Sequence, residues 1–316
     1  MSRRSLPTAI GVMLVVAGLY PTPAADAVVG DVTGAVDIGA GRSMFVECRG
    51  TGSPTVILMS GKGNGAEDWS QVLAPGDPAH DSPGDDLPWG FGELVGSQDA
   101  VLPSVARFTR VCAYDRPDVR FEGADLTTPR SQPHSVDLDV ADLDALLTAV
   151  GAEGPSVLVA HSYSGVVATL FTRTHPEKVA GLVMVDALSE HMADVISPAQ
   201  LENWDAGNAA TSPQVAEGVR VIDAFQQIDA APPMPAIPAA ALAADKPWRT
   251  DLLPPEPVSS EQVTFEDWRA GQDRLATSLG VELITATDSG HDIHLYNPRP
   301  VVDAIERVVE EFRAGL

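Results

Sequence analysis

The chain has 316 residues, 44% of them hydrophobic and 20% charged, a balance that excludes a disordered polymer and leaves room for a full-size core in one domain. With 44 acidic residues against 20 basic ones the formal net charge is −24, which repels polyanions and so excludes nucleic acid and anionic lipid as natural partners.

The first segment, "MSRRSLPTAIGVMLVVAGLYPTPAADA", sets Arg3 and Arg4 before an apolar run and ends on a small-x-small step, Ala25-Asp26-Ala27. That pattern predicts a signal peptide over residues 1–27, cleaved after Ala27, and a secreted or extracytoplasmic mature chain. The apolar run, 9–20, is shorter than the ~20 residues of a spanning helix, so no stable membrane insertion is expected after processing.

From residue 43 onward short β-rich runs alternate with helical patterns. Strands are expected at 43–48, 55–60, 110–114, 156–160, 181–186, 239–244 and 281–287. Cys48 ends the first of these and Cys112 lies near the start of the third. If the two strands are antiparallel neighbours, a Cys48–Cys112 disulfide is expected in an oxidising compartment, two buried thiols being the alternative. Segment 74–99, rich in Pro, Gly and Asp, reads as a long surface insertion. In "SVDLDVADLDALLTAVG" the spacing of Val136, Val140, Leu143, Leu146 and Leu147 predicts a helix capped by Ser135, and "SGVVATLFTRTHP" predicts the next, stopped at Pro176. Residues 187–237 are too long for a plain connection and contain a helical stretch, "SPQVAEGVRVIDAFQQI"; they read as a helical lid insertion over a pocket. "NPRPVVDAIERVVEEFRAG" predicts the last helix, opened by proline and closed by glycine. This rhythm signals an α/β sheet with helices on both faces, as a single domain over 28–316.

The chemistry gathers at "VLVAHSYSG". A strand that reverses into a helix at Ser162 crowds the backbone, so the residues two before and two after must be small; here they are Ala160 and Ser164, with Gly165 next. That spacing is a nucleophile elbow, which lifts the hydroxyl above the sheet and aims the following N–H groups at the same space. An oxyanion formed by attack on a carbonyl needs donors already in place. The Tyr163 N–H is one candidate and the Lys62 N–H another, since Gly61 and Gly63 in "SGKGNGAEDW" let the backbone approach a substrate closely. A charged substrate clamp is the second reading of Lys62.

Taken together, "ILMSGKGNGAEDW", "TRVCAYDRP", "VLVAHSYSG", "VAGLVMVDA" and "SGHDIHLYNP" resemble the α/β-hydrolase superfamily, in particular secreted bacterial serine hydrolases of the esterase type, over nearly all of residues 43–314. The resemblance implies a mostly parallel eight-stranded sheet and a triad in the order Ser, acid, His. His291, between the last strand and the last helix, is the best placed of the seven histidines, with His294 the runner-up; His161 and His175 read as structural, His80 and His134 as exposed. Asp186, at the end of the strand after the nucleophile helix, is the favoured acid, and Asp245, ending the next strand, is the alternative. The resemblance further implies hydrolysis of a small-molecule ester, lactone or related acyl bond through an acyl-enzyme on Ser162, with no metal or organic cofactor. A ligand-binding protein of the same fold with weak turnover is the alternative function. The chain departs from the family pattern at Ser60, where many relatives carry His, at the non-glycine elbow positions, and at Asp118, where glycine is usual and where one wall of the pocket mouth is expected to change.

Overall fold

The computed structural model describes residues 30–77, 84, 92–119, 126–152, 154–212, 215–248 and 262–315. The expected signal peptide, His80 and the middle of the 74–99 insertion lie outside them.

Strands β1 (Val32–Gly39) and β2 (Arg42–Arg49) form a hairpin, followed by the fully buried β3 (Val56–Met59). β4 (Gln71–Leu73) and β5 (Leu94–Gly96) pair antiparallel in a small second sheet, so the neck of the 74–99 insertion is pinned. Then come α1 (Val101–Val105), β6 (Val111–Tyr114), α2 (Val136–Ala149), β7 (Ser156–His161), α3 (Ser164–Thr174) and β8 (Val179–Val185). The excursion after β8 carries α4 (Pro198–Ala209) and α5 (Val221–Ala230). The chain closes with β9 (Ala239–Leu242), α6 (Phe265–Leu279), β10 (Leu283–Ile284), α7 (Ile293–Tyr296) and α8 (Pro298–Ala314).

The main sheet has eight strands in the order β1-β2-β6-β3-β7-β8-β9-β10. β2 runs antiparallel to both its neighbours, and every other adjacent pair is parallel. Side chains alternate across it as a period of two demands. Ile57, Met59, Leu158, Ala160, Leu182 and Met184 pack into the layer of α2, α3 and α5, while Val56, Leu58, Val157, Val159, Val183 and Val185 pack under α1 and α8. Strands buried on both faces read as continuous apolar runs, which is why the central ones were legible. β1 was not expected: Val36 is its one buried residue, and Gly34, Asp37 and Gly39 are poor strand formers. Its register against β2, from Val32 opposite Cys48 to Gly39 opposite Arg42, holds it in place.

Cys48 and Cys112 face each other directly across β2 and β6 and form a disulfide that closes a 64-residue separation. By chain entropy such a loop stabilises the fold by about 2–4 kcal/mol. Cys48→Ala/Cys112→Ala is therefore expected to lower the unfolding free energy by that amount, measured by urea titration; an unchanged midpoint would contradict it.

Three expectations are corrected. Residues 215–220, expected to be helical, are not, and α5 begins at Val221, because the bonds of Glu217, Gly218 and Val219 to Gly63, Gln132 and Asn208 hold that segment out of a helix. The run 281–287 pairs with β9 only at Leu283 and Ile284. Ser135 stands at the N-cap of α2, but its hydroxyl is engaged by the carboxylates of Asp137 and Asp223 instead of capping the helix. Among the described residues no helix is long and apolar enough to cross a membrane.

Candidate active site

β7 runs buried to His161, and the chain then turns sharply at Ser162, whose φ of 51° is a left-handed conformation costing a non-glycine residue roughly 1–2 kcal/mol. Surrounding contacts over-determine it. Its N–H donates to the Val185 carbonyl (3.4 Å), and its own carbonyl accepts from the N–H groups of Gly165 (2.9 Å) and Leu188 (2.8 Å). The first turn of α3 presses so tightly on the β8 exit that a Cβ at position 165 would lie 2.3 Å from the Leu188 oxygen. Gly165 is thus the position with no space. Ser164 has a second task besides being small: its hydroxyl donates to the Ser60 carbonyl (2.6 Å) and accepts from Arg116 Nη1 (2.8 Å).

β8 delivers Asp186, also at positive φ (42°), a conformation that Asp tolerates better than most residues. Its carboxylate is fully buried. Oδ1 accepts from the Ala244 N–H (3.0 Å), and Oδ2 accepts from the Trp268 indole N–H (2.9 Å) and lies 2.6 Å from His291 Nδ1. An ionised carboxylate only accepts, so the ring proton belongs on Nδ1 and Nε2 carries the lone pair. Trp268 also meets the His291 ring edge-on at 5.5 Å. The backbone beside that ring is tied to the elbow, because His161 Nε2 donates to the His291 carbonyl (3.2 Å) and the two rings lie 4.7 Å apart. His291 therefore stands next to the residue that precedes Ser162. Asp245 is elsewhere: it is exposed, and its carboxylate accepts from the backbone N–H groups of Ser289 (2.7 Å) and Asp288 (3.0 Å), bracing the turn that leads to His291.

The loop after β3 closes over the elbow from the other side. A Cβ on Gly61 would come within 3.0 Å of Ser162 Cβ and 2.9 Å of His161 Nδ1, so only glycine fits. Among the described residues no acceptor engages the backbone N–H of Lys62 or of Tyr163. The Lys62 ammonium points away along the loop and donates to the Asn208 (2.7 Å) and Ala210 (3.4 Å) carbonyls at the end of α4. Burial lowers its pKa, and nearby Glu217 offsets part of that effect.

Arg116 organises this side of the site. Its guanidinium, 2% exposed, donates to the carbonyls of Ser60 and Gly61 (both 2.6 Å), to Ser164 Oγ and to Glu217 (2.7 Å). Burial opposes its charge, but the ion pair and hydrogen bond with Glu217 outweigh burial and raise the pKa. Glu217, itself fully buried, also accepts from the Gly63 N–H (2.7 Å). Next to it Gly218 N–H donates to Gln132 Oε1 and Val219 N–H to the Asn208 carbonyl. These bonds tie residues 217–219 to the loop after β3, to Gln132 and to α4. Asp118 has φ 65°, which explains why glycine suits the position; its carboxylate accepts from Arg130 N–H and Gln132 Nε2.

Behind the elbow the Tyr163 hydroxyl donates to Asp139 Oδ2 (2.7 Å), and His134 Nε2 lies 2.7 Å from Asp139 Oδ1. His134, expected to be exposed, is buried; burial lowers its pKa, but the bond to Asp139 and that group's charge raise it on balance. His294 is fully buried and stacked on Trp69 at 4.4 Å. His161 is held well below the ordinary histidine pKa, first by burial and then by the neighbouring His294 and His291. Sequence reading missed Trp268, Arg116 and Glu217. For Trp268 a signal existed: Thr264 and Asp267 form a capping box that announces α6.

Residues 71–304 match the profile of the "Alpha/beta hydrolase family". The chain belongs to that family. Within curated proteins this hydrolase-family chain is 32% identical over 147 residues to an uncharacterized protein of Schizosaccharomyces pombe (46% of this chain, 26% of that protein). It is 36% identical over 78 residues to Lipase LipV of Mycobacterium tuberculosis (23% of this chain, 30% of that protein). The matches thus span under a third of those relatives' lengths. Among solved structures, a thermophilic esterase from Thermogutta terrifontis superposes with a TM-score of 0.53 at 16% identity, covering 89% of this chain and 98% of the other. A bromoperoxidase from Bacillus anthracis gives 0.51 at 15% identity, covering 88% and 100%. An esterase and a bromoperoxidase share the architecture, so these likenesses establish the fold alone.

Proposed function

We propose that this α/β-hydrolase is an exported serine hydrolase that cleaves a carboxylic ester or related acyl bond of a small molecule through an acyl-enzyme on Ser162. The observation that carries the reading is the 2.6 Å contact between His291 Nδ1 and the buried Asp186 carboxylate, beside a strained serine elbow. Ser162 Oγ attacks the acyl carbon while His291 Nε2 takes its proton. The tetrahedral oxyanion sits against the N–H groups of Tyr163 and Lys62. Collapse expels the leaving alcohol, which receives the proton back from His291. Water, deprotonated by the same nitrogen, then attacks the acyl-serine and frees the acid and the hydroxyl. Asp186 holds the Nδ1 proton and stabilises the imidazolium throughout. α4 and the 215–219 strap form the lid, joined to the oxyanion loop through Lys62 and Glu217. The leader over residues 1–27 directs export, and the Cys48–Cys112 bridge is in keeping with an oxidising compartment.

A fluorophosphonate probe tests this. Folded wild-type protein is expected to be labelled on Ser162, with parallel loss of turnover on a panel of acetyl to long-chain esters and lactones, while Ser162→Ala takes no label. Absence of labelling in the folded wild-type protein would favour the ligand-binding alternative.

A further inference from the structure

The loop that carries His291 and the short helix α7 that follows bring two more donors, Asp292 and His294, against His161 at the end of β7. One potential ligand atom from each of the three residues lies within 4.8 Å of the others, and all three residues are buried. His161 Nε2 is 3.6 Å from Asp292 Oδ1 and 3.2 Å from the His291 carbonyl oxygen. Two ligands each ~2.0–2.1 Å from one tetrahedral zinc are about 3.3–3.5 Å apart, so His161 Nε2, Asp292 Oδ1 and the His291 carbonyl are near that spacing, and the 4.8 Å limit on the cluster leaves His294 to close by roughly 1 Å. Neither ring nitrogen of His294 has a hydrogen-bond partner among the described residues. A neutral imidazole carries one donor and one acceptor, and leaving either buried and unmet costs roughly 1–3 kcal/mol.

We propose that His161, His294 and Asp292 form a buried site for one borderline transition-metal dication of the Zn2+ class, with the His291 carbonyl as fourth donor. Two imidazoles with a carboxylate select Zn2+, Co2+, Ni2+ or Cu2+ over Mg2+ and Ca2+, which prefer all-oxygen shells. Binding moves the His161 proton from Nε2 to Nδ1, so the bond to the His291 carbonyl is exchanged for a shared ion. The role is structural: the ion bolts the loop carrying His291 to the strand carrying Ser162. Acyl transfer on Ser162 needs no metal, and the ion site stands whether or not that reaction occurs.

Protein stripped with chelator is titrated with Co2+, followed by d–d absorption, and with Zn2+, followed by calorimetry and thermal unfolding. The expected result is one ion per chain, a tetrahedral Co2+ spectrum, a rise in Tm with Zn2+, and no response to Mg2+. His294→Phe keeps the stacking on Trp69 and removes the donors; it is expected to weaken Zn2+ binding at least ~10-fold. His294→Gln is expected to do the same, which guards against a folding failure of the first variant. His191→Ala, which alters a part-exposed histidine beside Glu190 and Asp194, is expected to leave binding unchanged. Failure of wild-type protein to bind either ion, or binding lost through His191→Ala and kept in both His294 variants, overturns the proposal and leaves the histidine cluster as aromatic packing.

Discussion

Asp186→Asn is expected to lower kcat by about 10^4-fold with little change in folding, because the amide presents an N–H to His291 Nδ1 and forces the ring proton onto Nε2, where the base must have its lone pair. Asn tolerates the positive φ that Asp186 adopts, so the backbone is not the cause of the loss. Asp245→Asn serves as the comparison. Its exposed carboxylate touches only the backbone of Asp288 and Ser289 among the contacts that define the turn, and its replacement is expected to cost less than about tenfold, since one exposed hydrogen-bonded pair contributes about 1 kcal/mol. Steady-state kinetics on a model ester decides between them. A large loss in Asp245→Asn with a mild one in Asp186→Asn would transfer the acid's role to Asp245.

The second large effect concerns stability. Glu217→Ala leaves the Arg116 guanidinium charged, 2% exposed and without its counter-ion, a situation that costs about 3–5 kcal/mol. It also removes the acceptor of the Gly63 N–H, so the strap 215–219 separates from the oxyanion loop. Glu217→Gln keeps an acceptor oxygen while removing the charge and is expected to lose roughly half as much. Urea unfolding of the three proteins measures both. A Glu217→Ala midpoint equal to wild type would mean that Arg116 is solvated well enough to need no partner.

Much of the fold was legible because its signals are local. The runs at β3, β6 and β8 and the Val157–Ala160 stretch of β7 are continuously non-polar, and the 3.6-residue spacing of Val136, Val140, Leu143 and Leu147 stands out in any window of that length. The sharp reversal at Ser162 also shows in a few residues. β1 escaped notice because a solvent-facing edge strand with three weak formers is stabilised by its partner and not by its own composition. Residues 215–219 were read as helix because their pattern permits one; a buried Glu217 meeting Arg116, 101 positions away, overrides it. Asp118 takes the left-handed conformation that glycine favours, held there by Arg130 and Gln132.

By itself, the order of residues determined the layered α/β architecture and the elbow at Ser162, since each depends on periodicity or local crowding, and it left the Cys48–Cys112 bridge conditional on the antiparallel pairing of β2 with β6 that the structure supplies. Only the tertiary structure set Asp186 rather than Asp245 beside the His291 ring, brought Trp268 to that carboxylate and packed His161, Asp292 and His294 into one buried cluster. Those contacts join residues tens to more than a hundred positions apart, and hydrogen-bond geometry resolved to a few tenths of an ångström has no counterpart in composition or spacing along the chain.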